Sequence, residues 1–310
     1  MNSLATIHIL SAIVLCPLLV GIINRTKALF AGRTGPPLLQ LYFDLYKLLR
    51  KGTVYSTTAS WVVKAGPMAG LACAAAALML IPFAGIPALL GFQGDLLLFA
   101  YLLGLMRFVT VIAALDTGSS FEGMGASREV TFSMLAEPAL LLGLAAMARF
   151  VSAGSHTIAL SLSGIYSPLN MNMLVSAGGP ALFLVAGALG IVFLTENARI
   201  PVDDPNTHLE LTMIHEAMIL DHGGVDLAFI QYGAALKLWL LGSLWVGIVF
   251  PVRSGLAALD LAAGIGGMVF LAVVVGVIES TMARLRLLRV PQLLVAATVL
   301  SILAMILVMR

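Results

Sequence analysis

The sequence predicts an all-α, polytopic membrane protein with about eight spanning helices, an amphipathic helix in the membrane interface and a periplasmic N-terminus. Three observations carry that expectation. Hydrophobic residues make up 60% of the chain and charged residues only 10%, against roughly 25% charged residues in a soluble domain. Apolar stretches of bilayer-spanning length recur along the whole chain. Basic residues fall almost entirely on alternate loops, as the positive-inside rule demands.

The expected spans are roughly 4–23, 62–82, 95–115, 130–150, 173–194, 227–250, 257–279 and 290–309. The first is read as a spanning helix and not as a cleaved signal, because no basic segment precedes it and Arg25 and Lys27 follow it. On one side of this topology lie Arg25, Lys27, Arg33, Lys47, Arg50, Lys51, Lys64, Arg128, Arg199, Arg284, Arg286 and Arg289. The other side has only Arg149, Arg253 and Arg310, while Arg107 and Lys237 fall inside spans. Loops 24–61, 116–129, 195–226 and 280–289 are therefore assigned to the cytoplasm, and residues 1–310 to a single membrane domain. Cys16 and Cys73 sit in apolar runs without a CxxC or Cys/His cluster, so no iron–sulfur cluster or structural zinc is expected in this chain. No basic patch with interleaved aromatics is present, so nucleic acid is not an expected partner.

The cytoplasmic loops carry the chemistry. In "PPLLQLYFDLYKLLRKG" the polar residues Gln40, Asp44, Lys47 and Lys51 form one helical stripe. Pro36 and Pro37 suit its start and Gly52 its end; at about 14 residues it is too short to span and would lie on the lipid, as a surface anchor or as the wall of a lipid-level cavity. "LDTGSSFEGMGASREVTFSMLAEP" reads as a Gly/Ser-rich lead into the fourth span, with Glu137 two turns inside. An intramembrane carboxylate is either a functional group or a protonated packing partner. "ENARIPVDDPNTHLELTMIHE" gathers five acids directly after the fifth span. Asp204–Pro205 reads as the cap and first residue of a helix over about 205–220, with His208, Thr212 and Glu216 on one face. No HExxH-like spacing marks a metal site; the Met, Ile and Leu interleaved with the acids between two spans speak against a solvated loop and for a half-buried one with a partner. Glu279 ends the seventh span; Arg284, Arg286 and Arg289 beyond it either follow the charge rule or meet acids of a docked subunit.

These segments together resemble the membrane subunit shared by respiratory complex I (its subunit 1) and the group 4 nickel–iron hydrogenases and formate hydrogenlyases. "RTGPPLLQLYFDLYKLL" is similar to that family's interfacial helix, with Arg33, Gly35, Pro36, Gln40, Asp44 and Lys47 in place. "LDTGSSFEGMGASRE", containing Arg128, and "MARLRL" look like the hydrogenase branch, and "ENARIPVDD" matches the family's E-x-x-R-x-P-F-D through Glu196, Arg199, Pro201 and Asp203. The sequence departs from the family at Asn206 and His208, where acids are usual, and by about three extra residues between Glu210 and Asp221.

The resemblance implies a bacterial inner-membrane subunit, inert alone, that anchors a redox complex and couples it to ion translocation. It implies a proton relay of Glu137, Glu196, Asp203, Glu210, Asp221 and Glu279. A coupling surface would be formed by Arg33, Gln40, Asp44, Lys47, Arg128, Arg199, His208, Arg284 and Arg286. Implied partners are cytoplasmic hydrogenase-like large and small iron–sulfur subunits, antiporter-like membrane subunits and lipid. This chain itself would bind no cofactor or metal; iron–sulfur clusters and a nickel–iron centre would belong to the partners. The alternatives are a quinone-binding subunit of an NADH:quinone oxidoreductase and a stand-alone transporter.

Overall fold

The structure, a computed structural model, describes residues 2–152, 159–176, 178–204 and 213–310. Among the described residues eight helices are long and apolar enough to cross a membrane, matching the predicted number and order. Six of them are α1 (Asn2–Phe30), α3 (Trp61–Leu78), α4 (Asp95–Asp116), α5 (Ser120–Val151), α8 (Gly179–Glu196) and α10 (Gly224–Val249). The last two are α11 (Ala257–Thr281) and α12 (Val290–Met309), the latter entered through a 3-10 turn at Leu287–Arg289. Between them lie α2 (Gln40–Leu49), α6 (Leu162–Tyr166), α7 (Met171–Val175) and α9 (His215–Met218). The described residues contain no strand, only an isolated bridge between Phe83 and Ile86.

Local chemistry sets the helix ends. Ser60 caps α3, its hydroxyl accepting from the Val62 N–H at 3.2 Å, while Asp116 at the end of α4 accepts from the Ser60 amide and hydroxyl. This pins α3 to α4. Gly94 precedes α4 with φ +95°, a conformation open chiefly to glycine. Within α1, Pro17 removes the N–H that would bond the Ile13 carbonyl. That carbonyl instead accepts from the Tyr232 hydroxyl at 2.9 Å, which ties α1 to α10. Helix α10 is the hub of the bundle, packing on α1, α2, α3, α8 and α11, with Trp239 fully buried.

Three elements differ from expectation. Helix α2 begins at Gln40, because residues 37–39 form turns with Gln40 N–H bonding Pro37 C=O. It buries no residue completely, as suits an interfacial helix. The fifth span starts at Gly179; residues 171–175 form the separate helix α7. The largest difference is α5. It begins at Ser120, about ten residues ahead of the expected span, and its 32 residues extend about 48 Å against a hydrocarbon core of about 30 Å. Gly123 and Gly125 lie inside a helix, where glycine is intrinsically poor. Packing supplies the reason: a Cβ at Gly125 would come within 2.8 Å of the Ile214 carbonyl and 2.9 Å of the Ala217 Cβ. Of the helix expected over about 205–220, residues 205–212 lie outside the described residues, and the remainder holds only the one-turn α9.

Candidate functional site

The spans bring together a cluster of charges that are far apart in sequence. Arg107, on α4, donates through Nη2 to Glu196 Oε1 on α8 at 2.6 Å and through Nη1 to Glu137 Oε1 on α5 at 2.8 Å. Its Nε lies 3.8 Å from Glu129 Oε1, two turns before Glu137 on the same helix. Lys237, midway along α10, places Nζ 3.7 Å from Glu196 Oε2. Five ionisable groups from four helices thus share one site. Charge this deep is costly unless paired and hydrogen-bonded, and each acid here has a cation beside it. Burial is uneven: the Glu196 side chain is 5% exposed, whereas that of Glu137 is 51% exposed on the outer face of the bundle.

A second charge group lies where α1 and α11 end. Glu279 meets Lys27 Nζ at 2.9 Å and Arg199 Nη1 at 3.4 Å, and Lys27 also comes within 3.9 Å of Asp204. Arg284 Nη2 lies 2.8 Å from Asp203 Oδ1, so it pairs with an acid of its own chain. Asp203 Oδ2 accepts from the Ile214 and His215 amides, both at 3.2 Å. Asp203 therefore organises the approach to α9. The Leu285 N–H donates to the Pro201 carbonyl at 2.9 Å, closing this loop against the segment after α11.

The overhanging start of α5 clamps the other end of the loop. Glu122 is fully buried and accepts from the Asp221 N–H at 3.0 Å and from the Thr117 hydroxyl. Arg128 Nη1 donates to the Met213 carbonyl at 2.9 Å. Glu122, Gly125 and Arg128 follow at helical spacing and so hold residues 213–221 on one rail, whose next residue is the cluster's Glu129.

Between loop and cluster lies a cavity of about 400 Å³. Its polar wall includes Asp44, Arg107, Glu129, Glu196, Asp203 and Lys237; its apolar wall comes from α1, α2, α3 and α10. Burial pushes the Asp203 carboxyl above its ordinary range, with Arg284 and three backbone amides opposing the shift. His215, facing the cavity, is held down to about 4 by desolvation and then by the charge of Lys237. The ordinary value is 6.5, so the folded loop favours neutral His215. Its contribution to loop stability is complete above about 6.5 and falls as pH drops toward the folded value. Protection of the 213–221 amides from hydrogen exchange is expected to decrease between pH 7 and pH 5, and His215→Gln to flatten that decrease. Equal slopes for both proteins would refute this assignment.

Of the residues expected to act, Glu137 and Glu196 meet at Arg107, and Asp203, Glu279, Arg199 and Arg284 form the second group. Asp44 lines the cavity and accepts from Gln40 at 3.0 Å. Asp221 is exposed and does not line the cavity; its backbone, held by Glu122, is what the fold uses. Arg33, Lys47 and Arg286 are exposed. Glu210 and His208 lie outside the described residues. Sequence reasoning singled out neither Glu122, Glu129 nor Lys27, and left Arg107 and Lys237 as unassigned cations within spans. Those two cations were the available signal, because an isolated charge in a span requires a partner. Among the described residues no three His, Cys, Asp or Glu side chains converge as metal ligands.

Fold and site together define a multi-pass membrane protein with a charged interior chamber beneath a clamped loop. The chain belongs to the NADH dehydrogenase family, whose model matches residues 3–310. It is 32% identical over 280 residues to formate hydrogenlyase subunit 4 of Escherichia coli K12, covering 87% of each chain. It is 33% identical over 251 residues to hydrogenase-4 component C of the same organism, covering 77% of this chain and 72% of that one. Its fold is similar to that of a chain in the membrane-bound sulfane sulfur reductase, an archaeal respiratory membrane complex, with a TM-score of 0.81, 20% identity and 98% coverage of both chains.

Proposed function

We propose that this chain is the membrane-anchoring and proton-coupling subunit of a hydrogenase-type respiratory complex. The carrying observation is the five-group charge cluster at Arg107, joined through one cavity to a loop that a partner can reach. The relatedness to subunits of formate hydrogenlyase and hydrogenase-4 supports the reading. A cytoplasmic module with iron–sulfur clusters and a hydrogenase-like centre would dock on the loop face, over residues 195–226. Redox turnover there would shift the loop. Asp203, Glu279 and the cavity would pass a proton to Glu196 and Glu129, and on to Glu137. Neighbouring acids suit this task because each raises the proton affinity of the next. Glu137, half exposed at membrane depth, would hand the proton to an antiporter-like neighbour covering the α4–α5 face.

The test uses the complex purified from native membranes through a tag on this chain. Glu137→Gln is expected to abolish redox-driven ion translocation in liposomes while leaving electron transfer largely intact. Unchanged translocation would sink the relay. Co-purifying redox subunits and bound nickel and iron are expected; a lone, metal-free chain would overturn the partner assignment.

The cavity favours a second reading as well. Its size falls within the usual range for small-molecule sites, about 300–1,000 Å³, and it runs from an apolar flank at Leu41, Leu71 and Phe229 to the charged wall. A quinone-like molecule would fit such a gradient. Competition between a quinone-site inhibitor and electron transfer in the same complex would identify it.

A further inference from the structure

The charge cluster has an arithmetic that the relay alone does not require. Glu129, Glu137 and Glu196 supply three negative charges, and Arg107 and Lys237 supply two positive ones. One carboxylate is left without a counter-charge of its own. Other ionisable groups of the cavity do not correct the imbalance: Asp44 and Glu216 are further acids, Arg199 pairs with Glu279, Asp203 is matched by Arg284, and His215 faces the cavity as a neutral ring. Water is a poor remedy for Glu129 and Glu196, whose side chains are 14% and 5% exposed.

Geometry gives Arg107 a particular place in this arrangement. Its guanidinium reaches all three acids, each through a different nitrogen: Nη2 to Glu196, Nη1 to Glu137 and Nε toward Glu129. The contacts are unequal, at 2.6, 2.8 and 3.8 Å. A planar guanidinium directs its donors in a fixed fork, so a small tilt strengthens one contact as it weakens another. Lys237 forms an ion pair with Glu196 at 3.7 Å and acts on Glu129 from farther away, through a single ammonium and not a fork. Arg107 also stands between the sheltered pair Glu129 and Glu196 and the outward-facing Glu137.

We infer that Arg107 is the junction of the relay: the cluster stores one exchangeable proton, and the tilt of the Arg107 guanidinium decides which carboxylate holds it. When the guanidinium favours Glu196 and Glu137, the proton rests on Glu129. When it turns to Glu129, the proton is released to Glu137, whose exposed side leads out of this chain. No bond other than O–H is made or broken, and the proton given up by one carboxylate is the proton taken by the next. The inference rests on the proposed relay and adds a positioning residue to it.

Two variants of the intact complex test the junction. Arg107→Gln removes one positive charge, so the cluster should hold two protons where the unaltered protein holds one. Infrared difference spectra against the unaltered complex, read in the protonated-carboxyl C=O region with H/D exchange, are expected to gain one band. Arg107→Lys retains the charge but not the fork. It should keep one stored proton, assemble normally, and translocate at least tenfold fewer ions per electron transferred. An Arg107→Lys complex that translocates the normal number of ions per electron would overturn the junction, as would an Arg107→Gln spectrum without the added band. Glu137→Gln separates this failure from failure of the relay: if Glu137→Gln stops translocation and Arg107→Lys does not, the relay stands and the junction falls.

Discussion

Glu196→Leu is expected to destabilise the subunit by about 3–5 kcal/mol, the usual cost of removing one partner from a buried ion pair. The loss follows from what stays behind. Arg107 Nη2 and Lys237 Nζ both point at Glu196, and the Arg107 side chain is only 11% exposed. Leucine would fill the space but accept no hydrogen bond, taking from Lys237 the carboxylate it pairs with and from Arg107 its shortest contact, and leaving Arg107 to Glu137 and Glu129. The measurement is the thermal midpoint of the detergent-purified complex, together with the amount of the subunit retained in membranes. Glu196→Gln separates charge from shape. Its amide oxygen still accepts from Arg107, so assembly should largely return, while translocation should not. A Glu196→Leu complex with normal abundance and midpoint would show that the pairs contribute little.

Gly21→Ala should have the second-largest effect, by a different cause. Helix α1 and the stretch leading into α2 pack without an intervening side chain: a Cβ on Gly21 would fall far inside van der Waals contact of the Leu38 carbonyl. The obstacle is backbone, so no rotamer change relieves it. Overpacking of this kind costs about 1–3 kcal/mol where the neighbour can move, and here the easiest movement lifts residues 38–39 away from α1. Helix α2 would follow, taking Leu41 and Asp44 out of the cavity wall. Trypsin cleavage after Lys47, Arg50 and Lys51 is expected to quicken severalfold in Gly21→Ala, with translocation reduced. Cleavage at the unaltered rate would mean that α2 is held by its contacts with α10 and not by this seat on α1.

Much of the architecture was legible in the sequence because the bilayer imposes a simple rule. A helix must supply about 20 apolar residues to cross, and all eight stretches that did so are helices. Helix α2 was legible through its polar stripe. The start of α5 was hidden because Gly123 and Gly125 have the composition of a turn; the helix forms there through contact with Ile214 and Ala217, nearly ninety positions later. The charge cluster was hidden for the same reason. Arg107 and Glu196 are 89 residues apart, Arg107 and Glu137 are 30 apart, and no local pattern links them. The acids of the loop announced themselves by their density, yet density did not say which would turn inward. Asp203 does so and organises backbone amides, while Asp221 stays outside and lends only its N–H.

The rail on α5 has a thermodynamic consequence. Glu122 and Arg128 grip the loop, and Glu129 and Glu137 belong to the same unbroken helix. If movement of the loop alters the proton affinity of the cluster, then by linkage the protonation of the cluster must alter the loop's affinity for whatever docks on it by an equal factor. Acid–base equilibrium inside the membrane and the grip of the complex on its soluble arm would then be one equilibrium seen from two ends. Binding of that arm, titrated at two proton activities on the far side of the bilayer, would measure the coupling without a single turnover.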